Sequence, residues 1–230
     1  MPDAPRGRFI TLEGGEGAGK STQCQRLAAA LKAVGKNVLA TREPGGSPGA
    51  EAIRRLLVEG DTGRWDGVTE LLLHYAARRD HLEKTVLPAL ERGAWVISDR
   101  FADSTMAYQG YGFALGRGAV ETVHRVAVGG FAPDLTLILD LPVDAGLKRA
   151  GKRDGDDDGT GGGSNRYERM DRGFHERLRK GFLDIAGREP ERCAVIDAAR
   201  DTDSVAQSIR EAVRQRLGIE LPDNGAGGAP

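Results

Sequence analysis

Residues Phe9–Thr22 read FITLEGGEGAGKST. The apolar run Phe9, Ile10, Thr11, Leu12 has the length and character of a buried strand. Directly after it, Gly14–Ser21 fits G-x-x-x-x-G-K-[ST], and the helical pattern STQCQRLAAALKAVG begins at Ser21. Strand, glycine-rich turn and helix in that order are the context a phosphate-binding loop requires. The glycines let successive backbone N–H groups face inward around an anion, and the start of the helix adds partial positive charge. Gly14, Gly15, Glu16, Gly17, Ala18, Gly19, Lys20, Ser21 and Thr22 are therefore candidate ATP-binding residues. Lys20 is placed to reach the β- and γ-phosphates, and the Ser21 hydroxyl to ligate Mg²⁺. The loop indicates nucleotide binding but not what becomes of the terminal phosphate.

Outward from this unit, short apolar runs alternate with longer helical patterns. In the first helix Leu27, Leu31 and Val34 lie at helical spacing and Gly35 marks its stop. NVLAT (37–41), AWVISDR (94–100), DLTLILDL (134–141) and CAVID (193–197) read as four further strands. Between them, AEAIRRLLVEG (50–60) puts Ile53, Leu56 and Leu57 on one helical face. VTELLLHYAARRDHLEKTVLPALERG (68–93) is a long helical stretch with Pro88 marking a break or kink. Strands interleaved with helices of this length predict an α/β fold: a doubly wound, five-stranded parallel sheet with helices on both faces. Ligand groups then collect at the carboxyl ends of the strands. Glu13 and Gly14, Arg42 and Glu43, and Asp99 and Arg100 fall there.

Two segments depart from the alternation. Gly151–Asn165, GKRDGDDDGTGGGSN, is too rich in Gly and Asp to bury a core. Lys148, Arg149, Lys152 and Arg153 precede its acidic part; Arg166 and Arg169 follow it. It reads either as a mobile surface loop or as a flexible lid, about 148–170, that carries arginines to the phosphates. The final PDNGAGGAP (222–230) reads as disordered and places a tail over 218–230, after a single domain over 1–217.

The 230 residues are 39% hydrophobic and 29% charged with net charge -1, the balance of a globular protein without a basic field for nucleic acid or membrane. The acidic run Asp156–Asp158 further opposes a nucleic-acid partner. MPDAPRGRF does not resemble a signal sequence, no run approaches the ~18 apolar residues of a membrane span, and Cys24 and Cys193 have no metal-like spacing. These features predict a cytoplasmic protein. An N-K-x-D guanine-reading motif is lacking, and the chain leaves no room for the modules of a large mechanical ATPase. Transfer of phosphate to a small acceptor fits best.

Asp99 and Arg100 close the third strand. A strand-end Asp-Arg pair alone reads equally as a surface ion pair. Beside the phosphate loop, Asp99 becomes the carboxylate that orients the metal and Arg100 a holder of the acceptor phosphate.

TREPGG (41–46), LLLHYAARR (71–79) and DRFADSTMAYQGYG (99–112), together with LEGGEGAGKST (12–22), closely resemble the thymidylate kinase family, from about Phe9 to Leu217. The resemblance implies a P-loop kinase core with a lid, transfer of the γ-phosphate of ATP to dTMP for dTTP synthesis with Mg²⁺, and a homodimer built on packed helices. It implies that Glu16 contacts the sugar 3′-hydroxyl, Arg78 reaches the base or phosphate, Thr105 hydrogen-bonds thymine and Tyr108 crowds the sugar 2′ position. Pro44 packs near the base, Gln109 joins the dTMP set, and Glu43 approaches the metal and phosphates. On spacing alone Arg78 reads as readily as an exposed arginine, and Tyr108 as core. Two departures stand out. His74 occupies the place where many relatives stack a phenylalanine on thymine; imidazole is flat but smaller, polar and titratable. Ala18 stands where some relatives carry a phosphate-loop arginine, so the resemblance shifts that role to the lid: Arg153 first, then Arg149, a further candidate ATP contact, and Arg166. The catalytic set is thus Lys20, Asp99, Arg100 and Arg153. A kinase for another nucleoside monophosphate and an ATP-dependent switch remain the alternative readings.

Overall fold

The structure, a computed structural model, describes residues 6–155 and 166–222, the side chains of 152–155 excepted. Five strands form one sheet: β1 (Phe9–Glu13), β2 (Val38–Arg42), β3 (Trp95–Asp99), β4 (Leu135–Asp140) and β5 (Cys193–Asp197). Their order is β2-β3-β1-β4-β5 and each neighbouring pair is parallel. The five sequence-predicted strands are all present.

Alternation along each strand sorts the helices onto two faces. Ile10, Leu12, Ile97, Leu137 and Ile196 meet Leu27 and Leu31 of α1 (Lys20–Ala33) and Ile209 and Val213 of α9 (Thr202–Leu217). The opposite face carries Phe9 and Val96, which pack with Leu71 and Tyr75 of α3 (Gly67–His81), Leu90 of α4 (Leu87–Glu91) and Val120 of α6 (Arg117–Ala127). On that second face Ile138 also packs against Phe174, Leu178 and Phe182 of α8 (Arg172–Arg188). α2 (Pro48–Val58) lies against α3, while α5 (Ala102–Thr105) and α7 (Val143–Gly155) complete the described helices. The second face also holds Thr11, Glu13 and Thr136, all fully buried. Buried polar groups need partners: the Thr11 and Thr136 hydroxyls lie 3.0 Å apart, and Glu13 accepts from residues that follow β3.

Local signals account for several boundaries. α1 stops where Gly35 takes φ 78°, and the amide of Lys36 then bonds the Leu31 carbonyl. Val34, expected on the inner face, is exposed at that stop, and Leu56 is exposed as well, because of Ile53, Leu56 and Leu57 only Leu57 is turned fully inward. The long helical stretch is broken just before its proline, by a π-helical turn over Leu82–Val86. Pro88 offers no amide to the turn beneath it, and the Leu87 amide bonds the Leu82 carbonyl five residues back. Of the lid expected over 148–170, residues 156–165 lie outside the described residues, as do 223–230 of the expected tail.

Candidate active site

β1 and β3 are neighbours, with Leu12 opposite Asp99, so the loops after both strands open side by side. Gly14–Gly19 turns between β1 and α1. A Cβ on Gly14 would stand 2.5 Å from the Leu139 carbonyl, and one on Gly17 would stand 2.1 Å from that of Gly146, so neither place admits another residue. The α1 N-cap, Gly19, supplies no side-chain cap, which leaves the first amides of a fourteen-residue helix available to an anion. Lys20 Nζ donates to the Gly15 carbonyl at 2.7 Å, and Ser21 Oγ to Asp99 Oδ2 at 2.6 Å. Burial, then the neighbouring Arg100, pushes the Lys20 ammonium down to about 8.

Arg100 follows β3 in the left-handed region, φ 74°, a conformation that costs a non-glycine residue on the order of 1–2 kcal/mol. Its guanidinium spans the gap to the phosphate loop: Nη1 donates to the Gly14 carbonyl at 2.9 Å and to Ser104 Oγ at 3.1 Å, and Nη2 to Glu16 Oε1 at 3.1 Å. Glu13 holds the turn from below, accepting from the Phe101 amide at 2.7 Å and from Ser104 Oγ at 2.5 Å. Burial, with Asp103 nearby, pushes the Glu13 carboxyl up to about 7. Burial would also raise Glu16, but Arg100, Lys20 and the Tyr108 hydroxyl overcome it and hold that carboxyl at about 2. Tyr108 donates to Glu16 Oε1 at 2.5 Å.

A cleft of about 1160 Å³ opens over these groups. The residues expected to hold dTMP, namely Glu16, Pro44, His74, Arg78, Arg100, Thr105, Tyr108 and Gln109, all line it. So do Lys20, Ser21, Thr22 and Asp99. Gly14, Gly15, Ala18 and Arg149 do not. The Arg149 guanidinium donates to the Ala198 and Ala199 carbonyls instead. The side chain of Arg153 lies outside the described residues. Arg166, the last of the lid candidates, is 1% exposed and bonds the Leu57 carbonyl at 2.6 Å, which holds it as a strut.

Arg78 is fixed on three sides. Nε donates to Glu43 Oε2 at 2.8 Å, and Nη2 to the Phe101 carbonyl and to Thr105 Oγ1, both at 2.9 Å. Tyr75 and Phe101 place their rings 4.7 and 5.1 Å from the guanidinium carbon. Only Nη1 has no partner among the described residues. Glu43, expected near the metal and phosphates, also lines the cleft; its other oxygen, Oε1, accepts from His81 Nδ1 at 2.9 Å, so both carboxylate oxygens are engaged, by Arg78 and His81. The described residues contain no group of three or more His, Cys, Asp or Glu that could hold a metal by themselves. Ser21 and Asp99 together suit a hard cation that takes its other oxygens from phosphates and water.

His74 sits half-buried on α3, its Nε2 3.0 Å from the Tyr167 hydroxyl. Tyr167 donates its one proton to Glu70 Oε2 at 3.0 Å, so His74 Nε2 carries the hydrogen. Burial, followed by Arg78 and Arg166, pushes the imidazole down to about 3. An unfolded histidine binds a proton below about 6.5, so between those two values this residue costs the fold stability as the pH falls. The imidazole is consequently neutral under ordinary conditions. In NMR titration the His74 ring signals should stay those of the neutral form from pH 8 to 5; a midpoint near 6.5 would refute this electrostatic picture.

Arg54 and Glu70 had no place in the sequence reading. Arg54 on α2 lines the cleft and donates to the Pro44 carbonyl at 2.7 Å; burial and the neighbouring Arg42 lower its affinity for its proton. In the sequence Arg54-Arg55 looks like any solvent-facing pair. Glu70 is fully buried behind the cleft, bonded to Gln109 and Tyr167, both of which line it. Its signal was available: Glu70, His74 and Arg78 are four apart and share one face of α3.

Comparison with known proteins shows what the chain as a whole is similar to. The family model described as Thymidylate kinase matches residues 12–209. The thymidylate kinase of Caulobacter vibrioides is 56% identical over 214 residues, covering 93% of this chain and 99% of the relative. That of Rhizorhabdus wittichii is 49% identical over 212 residues, covering 92% and 99%. The crystal structure of thymidylate kinase from Ehrlichia chaffeensis superposes with a TM-score of 0.71 at 34% identity, covering 91% of this chain and 99% of that one.

Proposed function

We propose how the site works from one premise: the chain belongs to the thymidylate kinase family. It is an ATP-dependent dTMP kinase, which moves the γ-phosphoryl group of ATP to dTMP and yields ADP and dTDP on the way to dTTP. Two buried atoms in one cleft support the choice of acceptor: Arg78 Nη1, a donor only, and Gln109 Oε1, an acceptor only, neither with a partner among the described residues. Thymine offers the complement, a carbonyl at O4 beside an N–H at N3. Cytosine offers the reverse and would leave both protein groups dry and unpaired, at roughly 1–3 kcal/mol each.

The remaining assignments follow from position. His74 would supply a neutral face for the ring, with Pro44 near it and the Thr105 hydroxyl steadying Arg78. Glu16 would accept from the sugar 3′-hydroxyl, and Tyr108, bonded to it, would crowd the 2′ position. Lys20 and the start of α1 would take the β- and γ-phosphates of ATP. Ser21 and Asp99 would hold Mg²⁺, which when bound neutralises charge across those phosphates. Arg100 and Arg54 would meet the acceptor phosphate, whose two negative charges relieve the crowding of Arg54 by Arg42. Arg153 is the first choice for a lid arginine at the transferring group, and closure of the segment 148–170 would keep water out. The dTMP oxygen is already anionic, so direct in-line transfer needs positioning and neutralisation rather than a strong base.

Val68 and Leu72 on α3 and Val126 on α6 are exposed apolar residues on adjacent helices, and they support the homodimer that the family resemblance implies. No helix among the described residues is long and apolar enough to cross a membrane, and we place the enzyme in the cytoplasm.

A coupled ADP-release assay with ATP and Mg²⁺ tests the reading against dTMP, dCMP, UMP and AMP. dTMP should be the preferred acceptor, and hydrolysis without an acceptor should be slow. Equal turnover of dCMP or AMP would favour another nucleoside monophosphate kinase on this scaffold.

A further inference from the structure

An amide has two ends, and thymine recognition requires one particular end of Gln109 to face the cleft. Glu70 lies within α3 with its carboxylate fully buried. Oε2 accepts from Gln109 Nε2 and from the Tyr167 hydroxyl, both at 3.0 Å, and Oε1 accepts from Arg166 Nη2. Arg166 is pinned in turn by the Leu57 carbonyl at 2.6 Å, so the carboxylate has no slack to turn away. Burial raises the Glu70 carboxyl, and Arg166 acts against that rise. The bonds recorded at Glu70 all come from donors, the surroundings of a carboxylate rather than of an acid.

A carboxylate only accepts. Were Gln109 reversed, two acceptors would face each other in a dry site while the amide hydrogens lost their partner. Nε2 is therefore held on the Glu70 side, and Oε1 is the end left without a partner among the described residues. The backbone of Gln109 is held as well: it lies in the π-helical turn Met106–Gly112, and its carbonyl accepts from the Leu115 amide at 3.2 Å.

The geometry points to Glu70 as the positioning residue that sets the polarity of the Gln109 amide, and with it the preference for a pyrimidine carrying N–H at N3 over one carrying a bare nitrogen there. Glu70 acts through Gln109 and not on substrate. The inference rests on Gln109 reading the base, and it goes further by naming what makes that reading one-sided.

The test compares kcat/KM for dTMP and dCMP in the wild type, Gln109→Leu and Glu70→Gln. The amide introduced by Glu70→Gln can donate as well as accept, so Gln109 gains access to its reversed orientation. The dTMP-to-dCMP ratio should fall by about tenfold or more, the worth of one mismatched buried hydrogen bond. The dTMP-to-dUMP ratio should hold, because both bases carry N–H at N3. A purely structural role for Glu70, offsetting the charge of Arg166, would lower both activities together and leave the dTMP-to-dCMP ratio unchanged; that result overturns the proposal. Gln109→Leu separates the two levels. If it leaves the ratio intact, the base-reading role of Gln109 fails; if it relaxes the ratio and Glu70→Gln does not, only the role of Glu70 fails.

Should Glu70→Gln not fold, Glu70→Asp keeps a charge for Arg166 on a shorter arm, and the same fall in ratio is expected. The wild type supplies an independent reading. The Gln109 side-chain amide hydrogens should be protected from exchange in the nucleotide-free protein and remain so with dTMP. Protection that appears only after dTMP is added would show that the amide hydrogens face the base, and would also overturn the proposal.

Discussion

Arg100→Ala is expected to lower kcat/KM for dTMP by about 10³-fold or more and to weaken dTMP binding at equilibrium. An arginine that neutralises charge around a transferring phosphoryl group is typically worth about 10³–10⁵ in rate, and Arg100 also orders the site. Its guanidinium ties the Gly14 carbonyl, Ser104 and Glu16 together, so its loss loosens the phosphate loop and releases the carboxylate proposed to hold the sugar. The backbone there is at φ 74°, and the strain is tolerated because Glu13 clamps the next residue from below. Arg100→Gly is the control, since glycine accepts that conformation freely. It should be more stable than Arg100→Ala by about 1 kcal/mol and equally impaired. Isothermal titration decides the assignment: unaltered dTMP affinity in Arg100→Ala would remove Arg100 from the acceptor phosphate.

Glu43→Leu should destabilise the fold by roughly 3–5 kcal/mol, the usual consequence of stranding a buried partner charge. Glu43, Arg78 and His81 have side chains 3%, 2% and 0% exposed, and both Glu43 oxygens are in use. Without the carboxylate, Arg78 keeps its charge and loses its counter-ion while its side chain stays 2% exposed. For a chain of this size the change corresponds to a fall in Tm of about 6–20 °C, at roughly 2–4 °C per kcal/mol. Arg78→Met added to Glu43→Leu should restore part of the loss, because two apolar side chains need no counter-charge. A drop below about 1 kcal/mol for Glu43→Leu, or no recovery in the double variant, would mean that the pair is not the electrostatic unit its geometry describes. Calorimetry of the wild type and the two variants gives the answer directly.

The sheet was legible because its signals are local. Apolar runs of four to eight residues separated by helical patterns leave few topologies open, and the positions after β1 and β3 then meet without any knowledge of side-chain contacts. The residues proposed to meet the base came from resemblance; spacing alone read Arg78 as readily as a surface arginine, and Tyr108 as core. Pro88 marked a break correctly, but the π-helical turn beside it depends on which carbonyl the Leu87 amide finds.

Other features belong to the folded molecule alone. Glu70 and Arg166 are 96 residues apart, and Glu13 and Ser104 are 91 apart, yet each pair is in hydrogen-bond contact. In sequence Arg166 is one more basic residue beside an acidic loop and Arg54 half of an exposed-looking pair. Only packing reveals that one is a buried strut and the other lines the cleft. His74 likewise reads as a titratable ring until the arginines around it are placed. From its sequence this chain already specified a phosphate-binding loop on a parallel sheet, because glycine conformations and apolar periodicity act over a few residues. Which charges neutralise one another, which hydrogen-bonding atoms are left for a substrate, and how far each acid or base is shifted were decided by tertiary structure, since burial and proximity exist only once distant segments are packed together.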